Sequence, residues 1–278
     1  MDWNGFRRFL EASNGSKRYV KDKVRAARKY AYCLFNGDFS ELQFMSASKL
    51  NLVMCSLSSL AKYLGVYEQF QGLVKAYGLK WKNVKAEDLL LSRMINAEKN
   101  GNVLGWVRIV KAELPRLNVF MDFMVFSGLR FEEAVNSFNL IIDLAGEGRL
   151  SEYYNEENEV LEHYRFRGLF IRRTKKAFVS FIPKSLVEAI SREEKLTVFK
   201  VWNLIKRKGL KCRFPDVREF FATFMTRWLN PAEIDFLQGR VSGTVFMRNY
   251  FNPALIGDLK ERVFRGLAEI QRELAENN

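Results

Sequence analysis

The chain has 278 residues, and its 45 lysines and arginines exceed its 32 aspartates and glutamates, which gives a formal net charge of +13. The length fits one large domain or two unequal ones, and the excess charge suits a polyanionic partner, most simply nucleic acid. The single histidine, His163, excludes enzymes that need several histidines for a metal or for acid–base work, so we interpret it as structural. The three cysteines are too far apart for a CxxC metal clip, and we expect buried or half-buried thiols.

No apolar run is long enough to span a membrane, and the N-terminal residues lack the apolar segment of a signal peptide. We therefore expect an intracellular, cytoplasmic protein with no membrane partner. The acidic residues between Glu152 and Glu159 lie in a polar stretch and indicate a solvated face rather than a metal-dependent nuclease. We expect no cofactor and no metal.

The first eighty residues predict helices throughout. In the second helix the stripe Val20, Val24, Ala27 and Ala31 has helical spacing. The rest of that helix carries seven cations against one acid, Asp22: Lys17, Arg18, Lys21, Lys23, Arg25, Arg28 and Lys29. Charge this lopsided cannot be neutralised by internal pairing, so we favour a helix that faces phosphates over an ordinary solvated face.

A connector, Trp81-Lys-Asn-Val, follows this helical region. We place a domain boundary there, between a helical N-terminal domain at residues 1–82 and a larger domain at residues 83–278. Helices are predicted at about 86–98, at Asn118–Ser127 and directly after Gly128-Leu-Arg.

The periodicity changes in the middle of the second domain. Residues 146–162 are acidic and polar and predict a solvated loop or a short surface helix. The segments 164–173 and 177–183 flank Thr174-Lys-Lys and are rich in β-branched and aromatic residues, which predicts a β-hairpin. The expected fold is therefore mainly α (α+β), with a small antiparallel sheet in a mixed second domain.

Helices resume after the hairpin, at about 184–192 and 196–208. A basic patch follows, and it is a second candidate for phosphate contacts: Lys206, Arg207, Lys208, Lys211 and Arg213. Further helices are predicted over Val217–Trp228 and from Asn230-Pro231, and residues 256–270 carry the apolar stripe of a last amphipathic helix.

Four polar positions stand out against this background. Arg130 follows a glycine by two residues and has Glu133 on the same helical face, where a carboxylate can hold a guanidinium. Arg218 lies beside a core stripe, Arg240 follows a glycine, and Tyr250 lies in the stretch FMRNYFNP. Taken singly, each has an ordinary structural interpretation: a surface ion pair, a snorkelling arginine or a core tyrosine.

Taken in order, these motifs resemble those of the tyrosine recombinases, the phage-integrase family of site-specific DNA recombinases. A TGLRxxE-like motif is matched by Ser127–Glu133 and an HxLRHxFAT-like motif by Pro215–Thr223. An LGH-like element is matched by Gln238–Arg240 and a YxxP-like motif by Tyr250–Pro253. The resemblance covers the whole chain, since the N-terminal region is similar to the family's core-binding domain. Integrases of archaeal viruses and plasmids look most similar.

The resemblance implies roles for these residues. Arg130 and Arg218 would clamp the scissile phosphate, with Glu133 supporting Arg130. Lys175 at the hairpin turn, or next in line Lys176, would protonate the leaving 5′-oxygen. Tyr250 would be the nucleophile that forms a 3′-phosphotyrosyl link.

Two positions depart from the family's pattern. Pro215 stands where a histidine or lysine is usual, three residues before the second arginine, and Arg240 stands in place of the histidine of the LGH-like element. An arginine there can donate hydrogen bonds to a phosphate oxygen but cannot act as a base.

The resemblance also implies the partners. The DNA partners are double-stranded attachment sites, on which four copies of the chain form a homo-tetramer. In solution the chain would be a monomer or a dimer. One possible arrangement exchanges the C-terminal helix between subunits. Two alternatives remain open: a strand-nicking and resealing enzyme of the type IB topoisomerase kind, and a DNA-binding relative with weakened catalysis.

Overall fold

The computed structural model describes residues 1–13, 17–81, 87, 90–91, 94, 102–172, 175–240, 249, 251–253 and 256–275. The chain divides into two compact units, Met1–Ile95 and Asn96–Asn278. The predicted boundary after residue 82 falls outside the described residues and stays a prediction. Among the helices of the described ranges, none is both long and apolar enough to cross a membrane.

The first unit is helical, as the sequence predicts. Its described part contains α1 (Trp3–Ala12), α2 (Lys17–Asn36), α3 (Ala47–Leu64) and α4 (Tyr67–Ala76). Helices α2 and α3 pack along each other, and their apolar faces close a core around Phe6, Val24, Leu57 and Phe70. The predicted stripe of α2 is this buried face.

The second unit has its own core, built around one central helix. The helices of its described part are α5 (Val103–Glu113), α6 (Asn118–Ser127), α7 (Phe131–Gly146), α8 (Arg167–Phe170), α9 (Lys184–Ile190), α10 (Val198–Arg207), α11 (Phe214–Phe224), α12 (Pro231–Leu237) and α13 (Leu259–Ala275). Helix α6 is apolar around most of its circumference, and α5, α7, α9 and α11 pack against it. Helix α5 was not predicted, and the helix predicted near 86–98 lies mostly outside the described residues.

A small antiparallel sheet joins β1 (Tyr154–Asn155), β2 (Val160–Leu161) and β3 (Ser180–Phe181), in that order. In register, Val160 pairs with Phe181 and Leu161 with Ser180. The fold class is therefore confirmed as mainly α with a small antiparallel sheet.

The predicted hairpin is wrong in its first strand. Residues 163–165 form a 3-10 turn and α8 follows, since Phe166 and Phe170 both pack on Tyr153 with helical spacing. The sheet is completed instead by the acidic segment, which was predicted as a loop or surface helix. Of the predicted hairpin, the isolated bridge between Ile171 and Lys176 and the strand β3 remain.

His163 is completely buried beside this sheet. Its Nδ1 lies 2.6 Å from the Tyr153 hydroxyl and its Nε2 lies 2.8 Å from the Ser180 hydroxyl, while Tyr153 also bonds Ser137 at 2.7 Å. Burial lowers the pKa of His163 to about 3. The histidine is a neutral part of the core, which agrees with its structural interpretation.

Candidate active site

Arg130 and Glu133 form a half-buried ion pair where helix α7 begins. The completely buried Glu133 carboxylate accepts hydrogen bonds from the Arg130 backbone N–H at 3.3 Å and from Arg130 Nη1 at 3.0 and 3.1 Å. A carboxylate in the first turn is stabilised by the partial positive charge of the helix N-terminus. Because a buried carboxylate is costly unless it is paired, this contact fixes the Arg130 side chain.

Gly128 is required at the junction between α6 and α7. Its φ of +58° lies in the left-handed region, and an added Cβ would stand 2.4 Å from Cδ1 of Phe221. Phe221 belongs to α11, so the missing side chain allows α11 to approach the backbone that leads into Arg130.

Arg218 projects from the first turns of α11 and is held by two backbone carbonyls. Its Nη1 donates to the carbonyl of Gly128 at 2.8 Å and its Nη2 to that of Gln238 at 2.5 Å. The buried Gln238 side chain returns a hydrogen bond to the Arg218 carbonyl at 2.8 Å. Three separated stretches of sequence therefore meet at Arg218.

The charges of the neighbouring arginines act on Arg218. Burial and the positive charge of Arg130 lower the pKa of Arg218 to about 9, Arg240 contributes in the same direction, and Glu133 and Asp235 oppose the shift. Concentrated positive charge in a partly buried place is unfavourable on its own and favours an anionic ligand.

The turn that carries Lys175 adjoins this cluster. Arg130 Nη1 donates to the carbonyl of Lys176 at 3.2 Å. Gly239, with φ of +62°, lies against the same carbonyl so closely that an added Cβ would be 1.7 Å from its oxygen. The Lys175 side chain is exposed and that of Lys176 is half-buried, while Thr174 is outside the described residues.

Arg240 lies at the edge of the cluster. Its side chain is about half exposed, its Nη1 is 3.7 Å from Asp235, and its Nη2 bonds the side chain of Gln238. The Arg240 backbone N–H donates to the Asp235 carbonyl at 2.7 Å, which ends α12 with this residue at the surface.

Sequence reasoning missed Arg172. Its Nη1 donates to Glu132 at 3.0 Å and its Nη2 to Glu133 at 3.3 Å. No spacing rule connects Arg172 with an acidic pair forty residues earlier. The sequence feature that could have identified Arg172 is its position as a cation just before the turn that carries Lys175.

Tyr250 lies outside the described residues. Its neighbour Phe251 packs on Phe236 of α12, with ring centroids 5.8 Å apart, and Phe236 stacks on Phe178. Helix α12 leads directly into Gln238–Arg240.

The two predicted basic surfaces are only partly exposed. On α2 the side chains of Lys21, Arg25, Arg28 and Lys29 are exposed, whereas those of Lys17 and Arg18 are outside the description. On and after α10 the exposed cations are Lys206, Arg207, Lys208 and Lys211, of which Lys208 pairs with Glu113 at 3.0 Å. Phe199 and Trp202 are exposed on the same helix, and Lys206 Nζ lies 5.5 Å from the Trp202 ring centroid.

Two of the predicted phosphate contacts are buried instead. Lys23 is turned towards α3, where its Nζ donates to the Ser59 hydroxyl at 2.8 Å. Arg213 precedes α11, and its Nε donates to Asp216 in the first turn at 2.8 Å. Burial removes both side chains from the surface that a DNA backbone can reach.

The cysteines and acidic residues form no metal site within the described part of the chain: no three His, Cys, Asp or Glu side chains there are grouped to hold an ion. Cys33 is buried, and Cys55 and Cys212 are half-buried free thiols, as expected.

Comparison with known proteins identifies the family of this chain. No curated protein sequence matches the chain. The family model of the archaeal phage integrases matches residues 96–262, which is more than half of the chain and spans every residue from Arg130 to Tyr250. The chain belongs to the archaeal phage integrase family.

Proposed function

We propose that the protein is a site-specific DNA recombinase that cleaves and rejoins DNA through a 3′-phosphotyrosyl intermediate at Tyr250. The observation that carries this proposal is the meeting of Arg130 and Arg218. Arg130 directly precedes α7 and Arg218 belongs to α11. Hydrogen bonds to the backbone of Gly128, Lys176 and Gln238 hold the two side chains around one centre.

This centre suits a phosphodiester. In-line attack increases negative charge on the non-bridging oxygens, and planar guanidinium groups match those oxygens better than an ammonium does. Two of the five N–H donors of Arg218 bind backbone carbonyls, which orients the remaining donors before DNA arrives. In comparable sites a preorganised donor lowers the barrier by roughly 3 kcal/mol.

The covalent step forms a bond between the Tyr250 phenolic oxygen and phosphorus while the bond from phosphorus to the 5′-oxygen breaks. Lys175, on the exposed turn beside Arg130, supplies a proton to the leaving oxygen. The new phosphotyrosyl bond conserves the energy of the phosphodiester, so the reverse attack by a 5′-hydroxyl rejoins strands without ATP.

Neither Pro215 nor Arg240 can accept the proton of the Tyr250 phenol. We assign that proton to solvent water. The positive charge of Arg130, Arg218 and Arg240 favours the phenolate, since nearby cations lower the pKa of an acidic group.

The exposed cations of α2 and of the segment around α10 would contact the DNA backbone without reading sequence. Recombination joins two duplexes through four cleavages, so we propose that four copies assemble on DNA. Helix α13 packs on its own unit, where Arg262 binds Glu233 at 2.6 and 2.8 Å. Its exchange between subunits stays a prediction.

The test is covalent capture from a library of duplexes with a randomised segment and a nick that traps cleaved strands. We expect sequence-selective adducts that survive denaturation, and joining of two duplexes that share the recovered sequence. Adducts at any sequence with relaxation of supercoiled DNA, but without joining, would indicate a topoisomerase-like enzyme instead. Tight DNA binding without an adduct would contradict both the recombinase and the topoisomerase-like hypothesis, and would favour a DNA-binding protein with weakened catalysis.

A further inference from the structure

Arg172 connects the turn that carries Lys175 to the acidic residues behind Arg130. Its backbone N–H closes the turn on the Lys175 carbonyl at 2.9 Å. Its guanidinium reaches Glu132 at 3.0 Å and Glu133 at 3.3 Å. The Oε1 atom of Glu133 also accepts from Arg130 Nη1 at 3.0 Å, so a single buried carboxylate oxygen holds both arginines.

This contact is different from an ordinary surface ion pair. Arg172 is one-third exposed and Glu133 is completely buried. Burial opposes the charge of Arg172, but the hydrogen bonds and charges of Glu132 and Glu133 outweigh burial and raise the pKa of Arg172 above its usual value. A bidentate guanidinium between two carboxylates restricts both torsion and position, which a lysine could not do.

The base of the turn has its own supports. Ile171 and Lys176 form a β-bridge, Ala177 donates to the Phe170 carbonyl at 3.0 Å, and Arg130 binds the Lys176 carbonyl. Loss of the Arg172 side chain would leave these backbone contacts in place. The backbone bond from Arg172 to the Lys175 carbonyl would also remain. What would be lost is the link from this segment to Glu132 and Glu133, which fixes the position of Lys175 relative to Arg130.

We propose that Arg172 is a positioning residue that fixes the proton-donating Lys175 relative to the phosphate clamp, through its two carboxylate contacts. This inference rests on the proposed function. Arg172 touches no reacting atom, and Arg130 keeps its own bonds to Glu133 without it. Its removal therefore impairs protonation of the leaving oxygen and leaves binding of the phosphate intact.

A substrate with sulfur in place of the bridging 5′-oxygen at the scissile phosphate distinguishes protonation of the leaving group from binding of the phosphate. A thiol has a pKa near 8.5, far below that of an alcohol, so the sulfur leaves without a proton donor. With the normal oxygen substrate, we expect Arg172→Ala to slow adduct formation by about 10²-fold, the lower range for loss of a general acid. With the sulfur substrate it should match the wild-type protein, and Lys175→Ala should follow the same pattern.

Arg149→Ala is the matched control, because Arg149 also binds two carboxylates, Glu147 and Glu152, but on an exposed surface. It should leave both rates unchanged. Arg172→Lys, which can reach one carboxylate only, should lose less activity than Arg172→Ala, and thermal unfolding identifies any variant that does not fold.

Three results overturn the inference. First, Arg172→Ala could cleave the oxygen substrate at the wild-type rate. Second, it could be equally slow on both substrates, and this result would assign Arg172 to the phosphate clamp. Lys175→Ala could also remain slow with sulfur, so that Lys175 would not be the donor. A wild-type protein that forms no adduct with either substrate contradicts the proposed function itself, a separate outcome.

Discussion

Arg218 illustrates how single residues at the candidate site depend on the backbone around them. It bonds the carbonyls of Gly128 and Gln238 and still faces the charges of Arg130 and Arg240. The sequence identified Arg218 from its motif, but the bonds that orient it involve residues ninety and twenty positions away. Such partners cannot be read from spacing.

Arg218→Lys tests whether this geometry matters beyond charge. A lysine keeps one positive charge but cannot bond two carbonyls and a phosphate in a planar fork. We expect adduct formation to slow by about 10²-fold, as for loss of one preorganised donor. Arg227→Lys, at an exposed arginine of the same unit, is the control and should cleave normally. An unchanged rate in Arg218→Lys would argue against an oriented clamp.

His163 makes a pH-dependent contribution to stability. Its folded-state pKa of about 3 lies below the ordinary 6.5, so between these values the unfolded chain binds a proton that the folded chain refuses. Stability therefore falls as the pH decreases through this window, by about 2 kcal/mol between pH 7 and 5. In His163→Gln, whose amide can bond both Tyr153 and Ser180, urea unfolding should depend less on pH. Identical pH profiles would show that His163 titrates normally.

At the scale of elements, the segments of the site pack together where a glycine leaves room for its neighbour, as Gly128 does for Phe221 and Gly239 for the Lys176 carbonyl. Gly128→Ala adds a Cβ at positive φ that would collide with Phe221. We expect a loss of about 2–3 kcal/mol, or roughly 5–10 °C in the thermal midpoint. Gly146→Ala, at the end of α7 with nothing within 4 Å of the new Cβ, should be neutral or slightly stabilising. Equal midpoints for the two variants would contradict this account of Gly128.

Element prediction from sequence succeeded where helical stripes were long. Helices α2, α6, α7, α10 and α13 were all expected near their observed positions. The sequence failed in the middle of the second unit, because Phe166 and Phe170 fit either a strand or a single helical turn. Strands β1 and β2 are only two residues long and lie in an acidic segment. Because the segment is polar overall, it was predicted as a loop or surface helix, although Val160 and Leu161 are buried.

At the scale of the whole molecule, the charge of +13 was informative about the class of partner but not about which cations are exposed. Lys23 and Arg213 belong to charge runs and are nevertheless buried. For Lys23 the helical periodicity of α2 already places the side chain on the apolar face. For Arg213, the ion pair with Asp216 can be predicted only when the first residue of α11 is known.

The salt dependence of DNA binding tests the basic surface near α10. Each phosphate contact changes the slope of log K against log salt concentration by about 0.9, through counterion release. Lys206→Ala with Arg207→Ala should therefore reduce the slope by about 2. Lys184→Ala, at an exposed lysine paired with Glu156, should leave the slope unchanged. No change in the double variant would place the DNA elsewhere.

The central claim, that Tyr250 joins covalently to DNA, is tested by finding the peptide that carries the nucleotide. Trypsin cleaves after Arg248 and Lys260, so Tyr250 lies in the peptide 249–260, which contains no other tyrosine. Mass spectrometry of the digested adduct should find a 3′-nucleotide on that peptide, and Tyr250→Phe should form no adduct while still binding DNA. A nucleotide on any other peptide, or an undiminished adduct in Tyr250→Phe, would contradict the mechanism.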